Sequence, residues 1–282
     1  AHRGIDYVSA YSVVVLGDDI ASQNELYARI VKKEVDAQGT DVVFESILTQ
    51  GWKIEVINVR GGLASEETAM RAISTADVAL IVVSAEQSQD GKAAEIEALR
   101  TAFAAGINDF VVAVNTMDEY NSEEAYNQAK DRIHDEINKI RNREVNVRFA
   151  LVNTKANTNI WSLFEDVSWY NEEYLIEQIL YSLMDVLPKK RRSELTFSII
   201  SHIPDSDSTF FGRVTRGTAE KDNSYLLCPE EITTTVREIK TRFLKREGEV
   251  GLGEYANIEV SGWRAPDPSL FKNSYLTSDQ RC

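Results

Sequence analysis

The stretch from Ser12 to Glu25, SVVVLGDDIASQNE, constrains this chain more than any other. A run of β-forming residues, Val13 to Leu16, ends at Gly17. A polar turn then opens a segment of helical spacing, with Leu26, Ile30 and Val31 on one face. The shape is that of the phosphate-binding loop G-x-x-x-x-G-K-[ST], in which turn and helix N–H groups cradle phosphate oxygens. Gly17 fits the first glycine. Ser22 stands at the second glycine, Gln23 at the lysine and Asn24 at the hydroxyl residue. The shape of a phosphate cradle is present without its cation and without the hydroxyl that holds magnesium.

The rest of the first 190 residues alternates strand and helix. Residues 42–48 and 52–59 read as paired strands turning at Gln50-Gly51, and residues 64–75 as a helix. VALIVVS (78–84) and FVVAV (110–114) are continuous apolar runs, the mark of parallel strands buried on both faces. Helices are expected over 22–36, 93–105, 122–141 and 172–186, with Ser122 as an N-cap, and a further strand over 145–152. This rhythm predicts a doubly wound α/β sheet with ligands at the carboxyl ends of its strands, after Leu16, Val59, Val114 and Val152. Past Lys189–Arg192 the pattern changes to short strands separated by turn residues, over 195–201, 209–216, 224–227, 233–243 and 255–260. The expected organisation is an α/β domain over 1–190, a small all-β barrel over 191–262 and an extended tail over 263–282.

Charge bounds the partners. A formal net charge of −14 opposes binding to nucleic acid, whose phosphates demand a basic face. The clearest basic cluster, Lys189-Lys190-Arg191-Arg192, falls where an interdomain linker is expected. Two cysteines, Cys228 and Cys282, make no disulfide framework, which predicts a buried thiol, a free terminal one and a reducing compartment. No apolar run reaches the roughly 20 residues that span a bilayer, and the first residues carry no secretory leader pattern. No Cys/His spacing suggests zinc. Trp161, Trp169 and Tyr170 mark either a partner surface or packing, the latter favoured.

Three segments, in this order, carry a resemblance: STADVALIVVSA (74–85), AGINDFVVAVNTMDEY (105–120) and TFFGRVTRG (209–217). They are similar to the strand after switch II, the guanine-reading strand and loop ending in N-K-M-D, and the second-domain signature G-x-V-x-x-G-R-V-x-x-G of translational GTPases. The chain resembles the elongation factor one-alpha group of that family over roughly residues 12–262. The resemblance implies a P-loop-GTPase-like α/β domain followed by a barrel; the family's third domain, a further barrel, finds no counterpart here.

The implied nucleotide pocket comprises Gly17, Gln23, Asn24, Asn58, Gly61, Asn115, Asp118 and Asn153. Gln23 replaces the lysine that reaches the β- and γ-phosphates. Asn24 replaces the metal hydroxyl, and Asn58 the aspartate on the metal side. Gly62 stands where the family has the histidine that positions water. Asp18, Asp19 and Glu25 add acids around the phosphate position; for Asp18 and Asp19 the plainer reading, a solvated turn with a helix N-cap, is favoured. Asn115 and Asp118 keep the guanine-reading pattern, with Thr116 in place of its lysine; the plainer alternative has Asn115 tethering neighbouring loops and Asp118 capping a turn. Four replacements in one pocket predict a pseudo-GTPase, not an enzyme, with no catalytic residue, metal or cofactor. The expected role is that of a structural or protein-interaction subunit of a larger assembly in the cytoplasm, and the resemblance adds a cytoskeletal assembly as one home. The alternative is a divergent elongation-factor-like GTPase that still binds GTP or GDP with Mg²⁺. A ribosome or RNA partner is disfavoured by the charge.

Overall fold

The computed structural model describes residues 10–34, 42–60, 67–86, 89–116, 122–140, 144–165, 167–186, 194–203, 206, 208–241, 248–263, 274–279 and 282. It divides into two compact units, one of residues 12–48 and 54–187, the other of 1–11, 49–53 and 188–282. Among the described residues no helix is long and apolar enough to cross a membrane.

The α/β fold runs β1 (Ala10–Gly17), α1 (Ile20–Val31), β2 (Val42–Thr49), β3 (Trp52–Val59), α2 (Glu67–Ser74), β4 (Val78–Ser84), α3 (Gln89–Ala104), β5 (Asp109–Asn115), α4 (Glu123–Lys139), β6 (Asn146–Val152) and α5 (Leu175–Asp185). The strands form one sheet in the order β2-β3-β1-β4-β5-β6. β1 pairs parallel with β4, β4 with β5 and β5 with β6. The apolar runs are buried as their composition demands: Val13 to Leu16 are at most 1% exposed, and Val78 to Val83 are fully enclosed. Gln50 and Gly51, both at positive φ (47° and 83°), make the two-residue link between neighbouring β2 and β3, and such a link requires antiparallel strands. The strand order turns at β1, with β3 on one side and β4 on the other. The crevice of a doubly wound sheet opens at such a point, which places the turn after β1 at its mouth.

Helix boundaries follow local chemistry. Asp19 caps α1, and Ser122 caps α4 by accepting from Ala125 N at 3.2 Å. α1 ends earlier than the expected residue 36, because Lys32 adopts a left-handed conformation (φ 55°) that stops helical hydrogen bonding. α5 starts at Leu175, not near 172, because Tyr174 is extended.

The second unit holds a closed barrel in the order β10-β11-β13-β8-β7-β14. Its strands are β7 (Thr196–His202), β8 (Thr209–Arg216), β10 (Ser224–Cys228), β11 (Ile232–Thr241), β13 (Tyr255–Ser261) and β14 (Tyr275–Thr277), while β9 (Thr218–Glu220) and β12 (Glu249–Gly251) pair separately. Every pairing described around the barrel is antiparallel. Phe197, Phe210, Leu227, Val236, Ile258 and Leu276 fill its core.

Two glycines of the TFFGRVTRG segment have steric reasons. A Cβ on Gly212 would lie 2.2 Å from Ser198 O and 2.8 Å from the Phe197 ring, while Gly217 sits at φ 66° with Glu194 O 2.6 Å from where its Cβ would be. Between them Arg213, 1% exposed, donates from Nε to Gly253 O at 2.8 Å.

Two expectations from the sequence are corrected. The segment 263–282 is not simply an extended tail, since β14 lies within it and pairs with both β10 and β7. The cysteines are not free either. Cys228 and Cys282 form a disulfide with Cα atoms 5.4 Å apart across a sequence separation of 54. The pairing of β14 with β10, Cys228 opposite Tyr275, brings the distant segment back to Cys228.

Candidate functional site

The turn after β1 is held down by its own acids. Asp18 donates its backbone N–H to Val82 O (3.1 Å), and its Oδ2 accepts from Ser84 N at the end of β4 (2.8 Å). Asp19 is extended, and its Oδ2 accepts from Ser22 N at 2.8 Å. A helix N-terminus attracts anions because its first N–H groups lack partners and its dipole is positive there. In this protein a carboxylate of the chain already sits on one of those donors.

The first turn of α1 then departs from an ordinary amphipathic helix. Ser22, Gln23 and Asn24 are consecutive and polar, yet exposed by only 7%, 2% and 7%. Buried amides need partners, and these find them on β3. Gln23 Nε2 donates to Asn58 Oδ1 (2.8 Å) and to Val59 O (2.9 Å). Asn58, fully enclosed, donates from Nδ2 to Asn24 Oδ1 (2.8 Å), and Asn24 Nδ2 donates to Arg60 O (3.4 Å). The result is a chain of three neutral amides joining the two segments that flank the expected phosphate and metal positions.

This arrangement does not fit a magnesium triphosphate. A hard dication is held through carboxylate or hydroxyl oxygens, and phosphate charge is met by a lysine. Here the positions present Asn24, Asn58 and Gln23. The amide oxygens of Asn24 and Asn58 already accept from neighbouring amides.

The ends of β5 and β6 meet a second polar cluster. Asn115, 2% exposed, accepts at Oδ1 from Thr154 N at 3.1 Å, so it tethers neighbouring loops. Thr116 donates from both N and Oγ1 to Val152 O. Asn153 accepts at Oδ1 from Ala156 N (2.9 Å) and pairs with Thr158. Thr154 Oγ1 donates to Glu25 Oε2 (2.8 Å), and Arg29 Nε donates to Thr154 O (3.1 Å). Glu25, read from the sequence as one more acid of the phosphate position, is therefore bound to the loop after β6 and to Arg29, 3.7 Å away.

Of the eight pocket residues read from the sequence, the fold gathers Gln23, Asn24 and Asn58 into one network, with Gly17 at the start of the turn that leads to it. Asn115 and Asn153 sit in the separate cluster after β5 and β6. Gly61 and Asp118 lie outside the described residues, as do Gly62 and Lys189–Arg192. Sequence reasoning missed the tethering by Ser84, Thr154 and Arg29. Ser84 carried a usable signal, being the last residue of a buried strand at the sheet's carboxyl edge. The aromatic residues turn out to pack. Trp161 Nε1 donates to Arg29 O (3.1 Å) beneath Lys32, whose Nζ is 3.9 Å from the ring centroid, and Trp169 and Tyr170 surround Tyr126 at 5.7 and 5.9 Å.

The model of the elongation factor Tu GTP binding domain matches residues 32–188, more than half the chain. Elongation factor 1-alpha of Methanocorpusculum labreanum is 25% identical over 201 residues, covering 71% of this chain and 47% of that protein. The same factor from Caldivirga maquilingensis is 30% identical over 181 residues, covering 62% and 40%. The chain thus spans about half the length of the curated relatives it matches. In fold it is similar to the bacterial selenocysteine-specific elongation factor EF-Sec, with a TM-score of 0.68, 17% identity, and coverage of 96% of this chain and 45% of that one. With an α/β domain of GTPase strand order followed by an antiparallel barrel, and a family match over most of the first of these, the chain belongs to the elongation factor Tu GTP-binding-domain family.

Proposed function

We propose that this protein is a pseudo-GTPase, a family member that uses its surface as a structural or protein-interaction subunit of a larger assembly and does not hydrolyse GTP. One observation carries the reading: the Gln23–Asn58–Asn24 amide chain occupies, and satisfies from within, the positions where the family holds its phosphates and metal. Phosphoryl transfer depends on charge neutralisation by lysine and Mg²⁺ and on a positioned water. Neutral amides that bond one another supply neither. Asp19 on Ser22 N supports the same conclusion, because a phosphate would have to displace a carboxylate already in place.

The test is a titration with fluorescent GTP and GDP analogues at millimolar Mg²⁺, together with thermal melting. Binding at 100-fold over Kd adds about 2.7 kcal/mol to stability and raises the melting temperature visibly. The expected result is no saturable binding and no shift at millimolar nucleotide. Micromolar affinity with a metal-dependent shift overturns the proposal.

A second reading rests on Asn115, which keeps the family's position and a buried bond to the next loop. In that reading the protein is a divergent GTPase that holds guanine nucleotide weakly, and the same titration decides between the two. For partners we favour proteins over RNA, and for location the cytoplasm, with filaments of the cytoskeleton as one assembly to test; this part rests on family analogy. Co-sedimentation with filaments against ribosomes separates the partners. The Cys228–Cys282 disulfide weighs against a uniformly reducing compartment, so trapping the thiols in the source cell tests the location.

A further inference from the structure

We propose that the Cys228–Cys282 disulfide is a redox-operated clasp on the barrel: reduction by a dithiol releases β14 and opens the barrel between β7 and β10. The proposal is independent of the nucleotide pocket and stands on how short β14 is and how few contacts hold it among the described residues.

β14 has three residues, whereas β11, on the other side of β10, has ten. Tyr275, Leu276 and Thr277 pair with Cys228, Leu227 and Leu226 on one side and with Ser198, Phe197 and Thr196 on the other. Leu276 is its one apolar side chain fully inside the core. Beyond the strand, Ser274 O accepts from Ile199 N (3.2 Å) and its Oγ donates to Glu230 Oε1 (3.1 Å), while Ser278 Oγ accepts from Leu195 N (2.7 Å) and Ser278 N donates to Leu195 O (3.3 Å). In this proposal two three-residue ladders, one buried leucine and the flanking bonds fall short of the entropy of ordering the segment. The covalent link at Cys228, in register with Tyr275, makes up the difference by keeping the segment at the seam. The order β10-β11-β13-β8-β7-β14 closes only through β14, so its departure leaves a five-stranded open sheet with β10 and β7 as edges.

The two residues differ in exposure. Cys228 is fully buried and Cys282 is exposed. A thiolate of the reductant attacks Cys282 Sγ, the S–S bond breaks, and Cys228 leaves as a thiolate that takes up a proton. The reductant's second thiol then attacks its own mixed-disulfide sulfur, freeing Cys282 as a thiol. Two electrons pass from the dithiol, which ends as a cyclic disulfide.

Hydrogen exchange read by mass spectrometry on the full chain, with and without dithiothreitol, tests this. Alkylation counting first establishes that both cysteines are linked before reduction and free after it. On reduction, the amides of 275–277 are expected to exchange within tenfold of unstructured peptide, while Val236 and Ile258 keep at least hundredfold protection. Cys282→Ser should reproduce this without reductant, and reoxidation of the native chain should restore protection. Three results each overturn the proposal: cysteines that alkylate without reductant, β14 amides that stay protected after full reduction, or a whole barrel that loses protection together. The last would make the bond a general staple of the barrel.

Discussion

At the scale of single residues, the pocket is decided by what an amide can do and a carboxylate or ammonium cannot. Asn58 both accepts, from Gln23 Nε2, and donates, to Asn24 Oδ1, within a fully enclosed site. Asn58→Asp, which restores the family's residue, tests this double role. The ionised carboxylate loses the donor that Asn24 Oδ1 needs, and its own charge is buried without a cation. Removing a buried partner costs about 1–3 kcal/mol, and more when a charge is left. Burial raises the new carboxyl group's pKa in the folded state. The variant is therefore expected to lose little stability below the ordinary carboxylate range and progressively more as pH rises through its raised pKa. Urea denaturation of both proteins across pH 4–8 measures it, and a pH-independent difference would show that the amide chain is not what matters. The replacements at 23, 24 and 58 were legible in the sequence as missing chemistry. That they bond one another was not, because Gln23 and Asn58 meet only when α1 is laid on β3.

At the scale of elements, local composition decided most of what formed. β4 is a seven-residue apolar run and became a central strand, and Ser122 was identifiable as a cap because its hydroxyl lies three residues before an N–H that needs an acceptor. β9, β12 and β14 were missed, and each has only three residues. A window that short contains barely one period of alternation, so it carries no signal until its partner strand is in place. The glycines of the barrel signature had the opposite fate, visible as a motif but explained only by the packing of β8 on β7. Gly212→Ala forces a methyl group into Ser198 O and the Phe197 ring, contacts of 2.2 and 2.8 Å to backbone and core. Overpacking of this kind costs roughly 1–3 kcal/mol or more. The barrel's unfolding midpoint in urea is expected to fall accordingly, while the α/β unit's is unchanged.

At the scale of the whole molecule, the acidity is not shared evenly. Residues 1–187 carry 31 Asp and Glu against 16 Lys and Arg; residues 188–282 carry 14 against 15. The α/β part therefore holds essentially all of the net charge of −14 and repels itself, while the barrel part is close to neutral. Salt screens such repulsion, with a Debye length of about 10 Å at 0.1 M and about 3 Å at 1 M. In calorimetry from 0.05 to 1 M NaCl, the transition of the α/β unit is expected to rise by roughly a few degrees relative to that of the barrel. Equal shifts would remove self-repulsion as a factor.

The order of strands and helices, the change from α/β to all-β past Lys189–Arg192, and the absence of a lysine and a metal-side carboxylate from the phosphate position could be read from the chain itself. Each is written in a few adjacent residues, through burial period, turn chemistry or a single side-chain type. Tertiary structure alone decided that three amides close on one another between α1 and β3, that Asp18 is held by Ser84 at the end of β4, and that two cysteines 54 residues apart come to lie at one seam. The reason is physical: such contacts depend on register between segments far apart along the chain, and register is set only when the intervening elements have packed.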